Sequence, residues 1–167
     1  MKNAVRLGIA ALLVTAIAPA PRAQQRGDVD QVRKQLIGSY KLVTYDSYDE
    51  KGTATRLPYD VGQISYDAAG RMSAQLTRSD RAKFTNGQRP TEAERAAAYS
   101  SFISYFGHYT IETDKGTVTH HVEGAMSPGM VGNDLVRYFE FSPDRKSLFL
   151  SVKNGERVVG KLRWDRY

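Results

Sequence analysis

From residue 38 onward, apolar and polar positions alternate with a period of two over most of the chain. The alternating runs are Ser39–Tyr45, Gly62–Tyr66, Arg71–Leu76, His108–Thr113, Thr117–Gly124, Leu135–Phe141, Ser147–Val152 and Arg157–Trp164. Turn residues separate them: Asp49-Glu50-Lys51-Gly52, Asp67-Ala68-Ala69-Gly70, Asp114-Lys115-Gly116, Ser142-Pro143-Asp144 and Asn154-Gly155. Short strands at regular spacing, about nine of them, predict a mostly β sandwich or barrel. Arg78–Arg89 and the Gly- and Pro-bearing Met126–Asp134 read as loops.

A helical period is expected in two places. Val32–Ile37 reads as a short helix, with Asp30 as its cap and Gly38 as its stop, after a frayed polar Gln24–Asp30. Thr91–Phe106 reads as the main helix. Thr91-Glu92-Ala93-Glu94 has capping-box spacing, Ala96–Ala98 favour helix, and Tyr99, Phe102, Ile103 and Phe106 make one apolar stripe that would cover the core. Gly107 would end it.

The N-terminus follows a different pattern. Lys2 and Arg6 precede an apolar run, Leu7–Ala18, and then Pro19-Ala20-Pro21-Arg22-Ala23. This order is that of a secretory signal peptide, and the run is shorter than the roughly 20 residues of a membrane span. Cleavage after Ala23 makes residues 1–23 the leader and 24–167 the mature domain, which is expected in a periplasm or secreted. An uncleaved anchor is the alternative. Removing the leader takes three of the 24 basic residues and none of the 18 acidic ones, so the formal charge falls from +6 to +3. The remaining positive residues are scattered, so nucleic acid is not an expected partner, and no membrane span is expected in the mature chain. With no cysteine there is neither a disulfide framework nor a catalytic thiol.

Four stretches resemble the bacterial lipocalin-like domain proteins, a branch of the calycin-type small barrels. Leu36-Ile37-Gly38-Ser39-Tyr40-Lys41-Leu42-Val43 is similar to their opening Gly-x-Trp strand, with Tyr40 in place of Trp. Gly62–Asp67 with Gly70–Leu76, Tyr105–Tyr109 with Gly116–Gly124, and Leu162-Arg163-Trp164 carry the rest. The resemblance implies a closed antiparallel lipocalin-like barrel of about eight to ten strands, with one main helix covering it. Eight strands leave room for side chains or one small ligand.

Alternation places Ile64 and Tyr66, Met72, Ala74 and Leu76, Val118, His120 and Val122, Leu148, Leu150 and Val152, and Leu162 and Trp164 inside. An apolar lumen with a few polar tips is the recipe for a small-ligand site, here bordered by Tyr66, Met72, Tyr109, His120 and Trp164. The leading expectation is therefore an exported barrel binding an apolar or amphipathic molecule, with no cofactor. Two alternatives stand beside it. One is a cofactor-free isomerase or cyclase using His120 with Tyr66 or Tyr109 as proton carriers. The other is a structural envelope domain with a filled core. A two-residue Lys115-Gly116 turn would set His108 opposite Glu123 and Thr110 opposite His121. His108, His121 and Glu123 would then share an outer face, as a metal set or as an ordinary polar ladder. No phosphate loop, nucleophile elbow or His-Glu-x-x-His occurs.

Overall fold

The computed structural model describes residues 22–87 and 89–167, with side chains from Asp28 onward. The leader expected over residues 1–23 therefore lies almost wholly outside the described residues. The strands are β1 (Gly38–Tyr48), β2 (Ala54–Arg56), β3 (Val61–Tyr66), β4 (Arg71–Thr77), β5 (Phe102–Glu112), β6 (Thr117–Ala125), β7 (Asp134–Phe141), β8 (Ser147–Asn154) and β9 (Arg157–Arg166). Every pairing is antiparallel, in the order β2-β1-β3-β4-β5-β6-β7-β8-β9, and β9 returns to pair with β1. Eight strands close the barrel, while β2 adds a short ladder to the far end of β1. Closure leaves the eight barrel strands without an open edge.

The expected faces hold. Ile64, Tyr66, Met72, Ala74, Leu76, Val118, His120, Val122, Leu148, Leu150, Leu162 and Trp164 are all buried, and Val152 is half-buried. Tyr40 and Leu42 from β1, and Tyr105, Tyr109 and Ile111 from β5, complete the interior. Three register shifts bend the sheet: at Leu42/Thr44, Phe106/Gly107 and Val152/Lys153. The first changes the parity of β1. Leu42 opposes Trp164 and Tyr45 opposes Leu162, so inward positions lie three residues apart across the bulge.

The helices differ from expectation. The main helix is α1 (Arg22–Leu36), which begins well before Val32 and includes the stretch expected to fray. It closes one end of the barrel: Leu36 is fully buried, and Val29 and Val32 pack on the core. Its exit is fixed from the last strand. Arg166 donates to the carbonyls of Gln35 (2.6 Å) and Ile37 (2.9 Å), two of the carbonyls a helix end leaves free. Its guanidinium lies over the Tyr40 ring, and the Tyr40 hydroxyl donates to Gln35 and Leu36. Gly38 leaves the helix at φ +138°, and a Cβ there would overlap Arg166.

The helix expected over Thr91–Phe106 is shorter. It is α2 (Glu92–Ser100), with the Thr91–Glu94 capping box formed as read, and it buries no residue. Phe102, Ile103 and Phe106 belong to β5 instead, paired with β4 from Thr77–Phe102 to Arg71–His108. Two causes act together. Ser100 and Ser101 bond back to the Ala96 and Ala97 carbonyls and loosen the last turn. The aromatic and β-branched residues that follow suit a pleated strand, and the edge of β4 needs a partner. The apolar stripe is thus divided: Ile103 packs on the core, whereas Tyr99 (48%) and Phe106 (52%) are exposed. Gly107, expected as a helix stop, lies within β5. A Cβ there would overlap the His121 carbonyl oxygen, which accounts for glycine at that bulge.

Candidate ligand cavity

The β5–β6 connection is a four-residue loop, Thr113–Gly116, not a two-residue turn, because Glu112 already pairs with Thr117. His108 therefore opposes His121, and Thr110 opposes Thr119. The shift is two residues, so every side chain keeps its face. The bulge then brings Glu123 back beside His108.

On the outer face His108, His121 and Glu123 do come together. The two imidazoles stack with centroids 4.4 Å apart, and His108 Nδ1 lies 2.8 Å from Glu123. Arg71 clamps the same carboxylate with two bonds of 2.7 and 2.6 Å. These bonds hold Glu123 down to about 2, Arg71 being the larger influence. His121 spends its nitrogens on Thr110 and Asp134. The arrangement is an ion-pair ladder, and among the described residues no three His, Asp or Glu side chains form a metal-holding group.

Inside, His120 is enclosed by tyrosines. The Tyr66 hydroxyl lies 2.7 Å from Nε2 and the Tyr105 hydroxyl 3.1 Å from Nδ1. A neutral imidazole has one donor and one acceptor nitrogen, so one hydroxyl donates to the ring and the other accepts from it. Burial, with the Arg137 charge second, lowers the His120 pKa to about 3. Burial also raises Tyr66 and Tyr105, against an opposing pull from Arg137. Tyr109 meets Tyr66 edge to face at 5.1 Å, and its hydroxyl donates to the Asp67 carbonyl. Tyr66, Tyr109 and His120 thus form one packed polar cluster, and Tyr66 and Met72 also border an outer groove beside Gly38 and Arg71.

Trp164 is placed differently. It lines a cavity of about 200 Å³ within the barrel, with Ile64, Leu76, Leu150 and Leu162. Tyr45, Ile103, Tyr105, Met130, Arg137 and Val152 complete the wall. Met130 comes from the 3-10 turn Pro128–Met130 between β6 and β7, at the end away from α1. Two residues in this apolar wall carry hydrogen-bond donors that no carboxylate answers among the described residues. Trp164 is 1% exposed, and its Nε1–H meets no acceptor among the described residues. Arg137 lies in phase with the inward Leu135 and Phe139, has no carboxylate within 4 Å among the described residues, and donates to the adjacent Val136 carbonyl, while its charge and a side-chain bond also bear on the Tyr105 hydroxyl. A larger cleft, about 440 Å³, lies outside the barrel between α2 and residues 78–85, and its lining includes Glu94, already bonded to Thr85 and Thr91.

Of the five residues expected at the site, then, Trp164 lines the cavity, and Tyr66, Met72, Tyr109 and His120 do not. Arg137, Tyr45, Tyr105 and Met130 were not anticipated. Arg137 was legible as a charged residue in phase with Leu135, Phe139 and Phe141. Tyr105 was hidden by the helix assigned over it.

An antiparallel eight-strand barrel, closed at one end by a helix and holding a walled interior cavity, defines a calycin-like class of protein. The sequence matches the lipocalin-like domain over residues 37–167, and the chain belongs to that family. Among solved structures it is similar to a redesigned β-barrel, at 11% identity and a TM-score of 0.40, over 81% of this chain and 94% of that one. No curated protein matches it.

Proposed function

We propose that this barrel binds a small apolar or amphipathic molecule inside its lumen, as a carrier or sensor and not as a scaffold. The observation that carries this reading is the cavity of about 200 Å³ walled by aliphatic and aromatic side chains. Apolar walls with a few directed polar groups are what small-molecule sites are made of, and a filled core would leave no such volume. His120 turns both ring nitrogens to tyrosines, so the acid–base group of an isomerase is not presented to the cavity.

Export belongs to the same reading. Its support is the charged start, the apolar run Leu7–Ala18 and the small residues before Gln24. Cleavage after Ala23 would leave Val29, Val32 and Leu36, the residues with which α1 packs on the core.

Calorimetric titration with 1-octanol tests the binding site. Saturable binding to the wild type, lost in Ile103→Trp, is the expected result, because the larger ring fills the cavity. Undiminished binding to a folded Ile103→Trp places the site elsewhere. Absence of binding by any apolar probe or of a retained molecule in native mass spectrometry of host-derived protein overturns the reading.

A further inference from the structure

The cavity wall holds more hydrogen-bond donors than acceptors can answer. A guanidinium has five N–H donors and no acceptor, and an indole has one donor and no acceptor. In Arg137 one N–H reaches the Val136 carbonyl at 3.0 Å, and no carboxylate lies within 4 Å among the described residues. Trp164 Nε1 is a second donor on the same cavity, buried and unpartnered. An unpaired polar group in such surroundings is destabilising unless something bonds to it. The remaining lining is aliphatic and aromatic, apart from the Tyr45 and Tyr105 hydroxyls. The Tyr105 hydroxyl is engaged with His120 and also takes a side-chain bond from Arg137, which leaves the rest of the guanidinium's donors over.

Donors without acceptors select an anion, and a planar guanidinium selects a carboxylate in particular, through paired N–H···O bonds. The volume sets the rest of the molecule. An apolar cavity of roughly 150 Å³ accommodates benzene, so 200 Å³ takes an apolar body of about six to eight carbons.

We infer that the lumen is a site for an organic monocarboxylate with an apolar body, its carboxylate held by Arg137 and the Trp164 Nε1–H and its hydrocarbon packed against Ile64, Leu76, Leu150 and Leu162. This inference rests on the proposed carrier function and narrows it to one ligand chemistry. The anion would supply an acceptor for the Trp164 N–H and the opposite charge that Arg137 does not find among the described residues. It would enter by the end carrying Met130, since α1 closes the other.

The test compares octanoate, 1-octanol and octylamine on the full mature chain at pH 8, where the carboxylate is ionised. Titrations are read by calorimetry and by the fluorescence of Trp164, the only tryptophan. Octanoate is expected to bind about ten-fold or more tightly than 1-octanol, the difference a charge-assisted hydrogen bond makes, and octylamine more weakly than either. Arg137→Met should abolish the preference for octanoate while leaving 1-octanol affinity within about two-fold, and Arg137→Lys should restore part of it. Trp164→Phe should weaken octanoate more than 1-octanol. If wild-type protein binds 1-octanol as tightly as octanoate, or a folded Arg137→Met keeps the preference, the carboxylate inference fails and the carrier reading stands. If none of the three probes binds, both fail. The wild-type ligand series decides the question even where a variant does not fold.

Discussion

His120 sits between two tyrosine hydroxyls in the barrel interior, and its protonation would place an unpaired charge there. Its pKa falls to about 3 in the fold against an ordinary 6.5, chiefly through burial. The folded state therefore holds the neutral ring while the unfolded chain takes up a proton below pH 6.5. Stability from this residue is complete above pH 6.5 and is lost progressively as the pH falls toward 3. The expected slope is about 1.4 kcal/mol per pH unit once the unfolded histidine is mostly protonated. Carboxylates such as Glu123, held at about 2, contribute their own loss only below their ordinary value of 4.5. Urea unfolding between pH 6.5 and 4.5 isolates the histidine: the wild type should lose stability across that window and His120→Gln should lose much less. An equal slope in both proteins would assign the acid sensitivity to other groups.

At the level of elements, α1 and α2 have roles that run against their local signals in the sequence. The capped, alanine-rich α2 has strong local propensity and no buried residue, whereas α1 has a weakly patterned sequence and closes the barrel. Leu36→Ala should cost about 2–5 kcal/mol, the range for a large-to-small change at a fully buried site. Tyr99→Ala on α2 should change stability by no more than about 0.5 kcal/mol, as exposed substitutions do. Denaturant midpoints for the two variants measure this directly, and a larger loss at Tyr99 than at Leu36 would reverse the assignment of the two helices.

For the whole molecule, an end-closed barrel gives a ligand one route and one depth. Tyr40, Arg166 and the last turn of α1 lock the closed end, while the far end is bounded by the short 3-10 turn bearing Met130. Binding to the folded state alone raises stability by about 2.7 kcal/mol at a hundred-fold excess over Kd, so a ligand should raise Tm as well as fill the cavity. The proposed export would suit the proposed carrier role, and it is checked by sequencing the N-terminus of protein recovered from the periplasm or medium. The expected start is Gln24. A start at Met1 in soluble cytoplasmic protein would overturn export without touching the ligand site.

Strand positions and their inward faces were set by the sequence itself, because a period of two is a local property and a buried face tolerates few polar residues. The turn residues and the Thr91 capping box were local too. What the tertiary structure decided was pairing. The residues from Phe102 to Phe106 satisfy helical spacing and strand alternation alike, and the free edge of β4 chose the strand. The β5–β6 register depended on a four-residue loop and a bulge at Glu123, neither of which alternation encodes. The candidate site followed the same division. The inward residues were legible, but which of them pack against one another and which border a space depends on strands distant in sequence. His120 found Tyr66 and Tyr105 as partners. Among the described residues the Trp164 N–H found none and Arg137 found no carboxylate, because volume left between closed strands is a property of the assembled barrel and of no single segment.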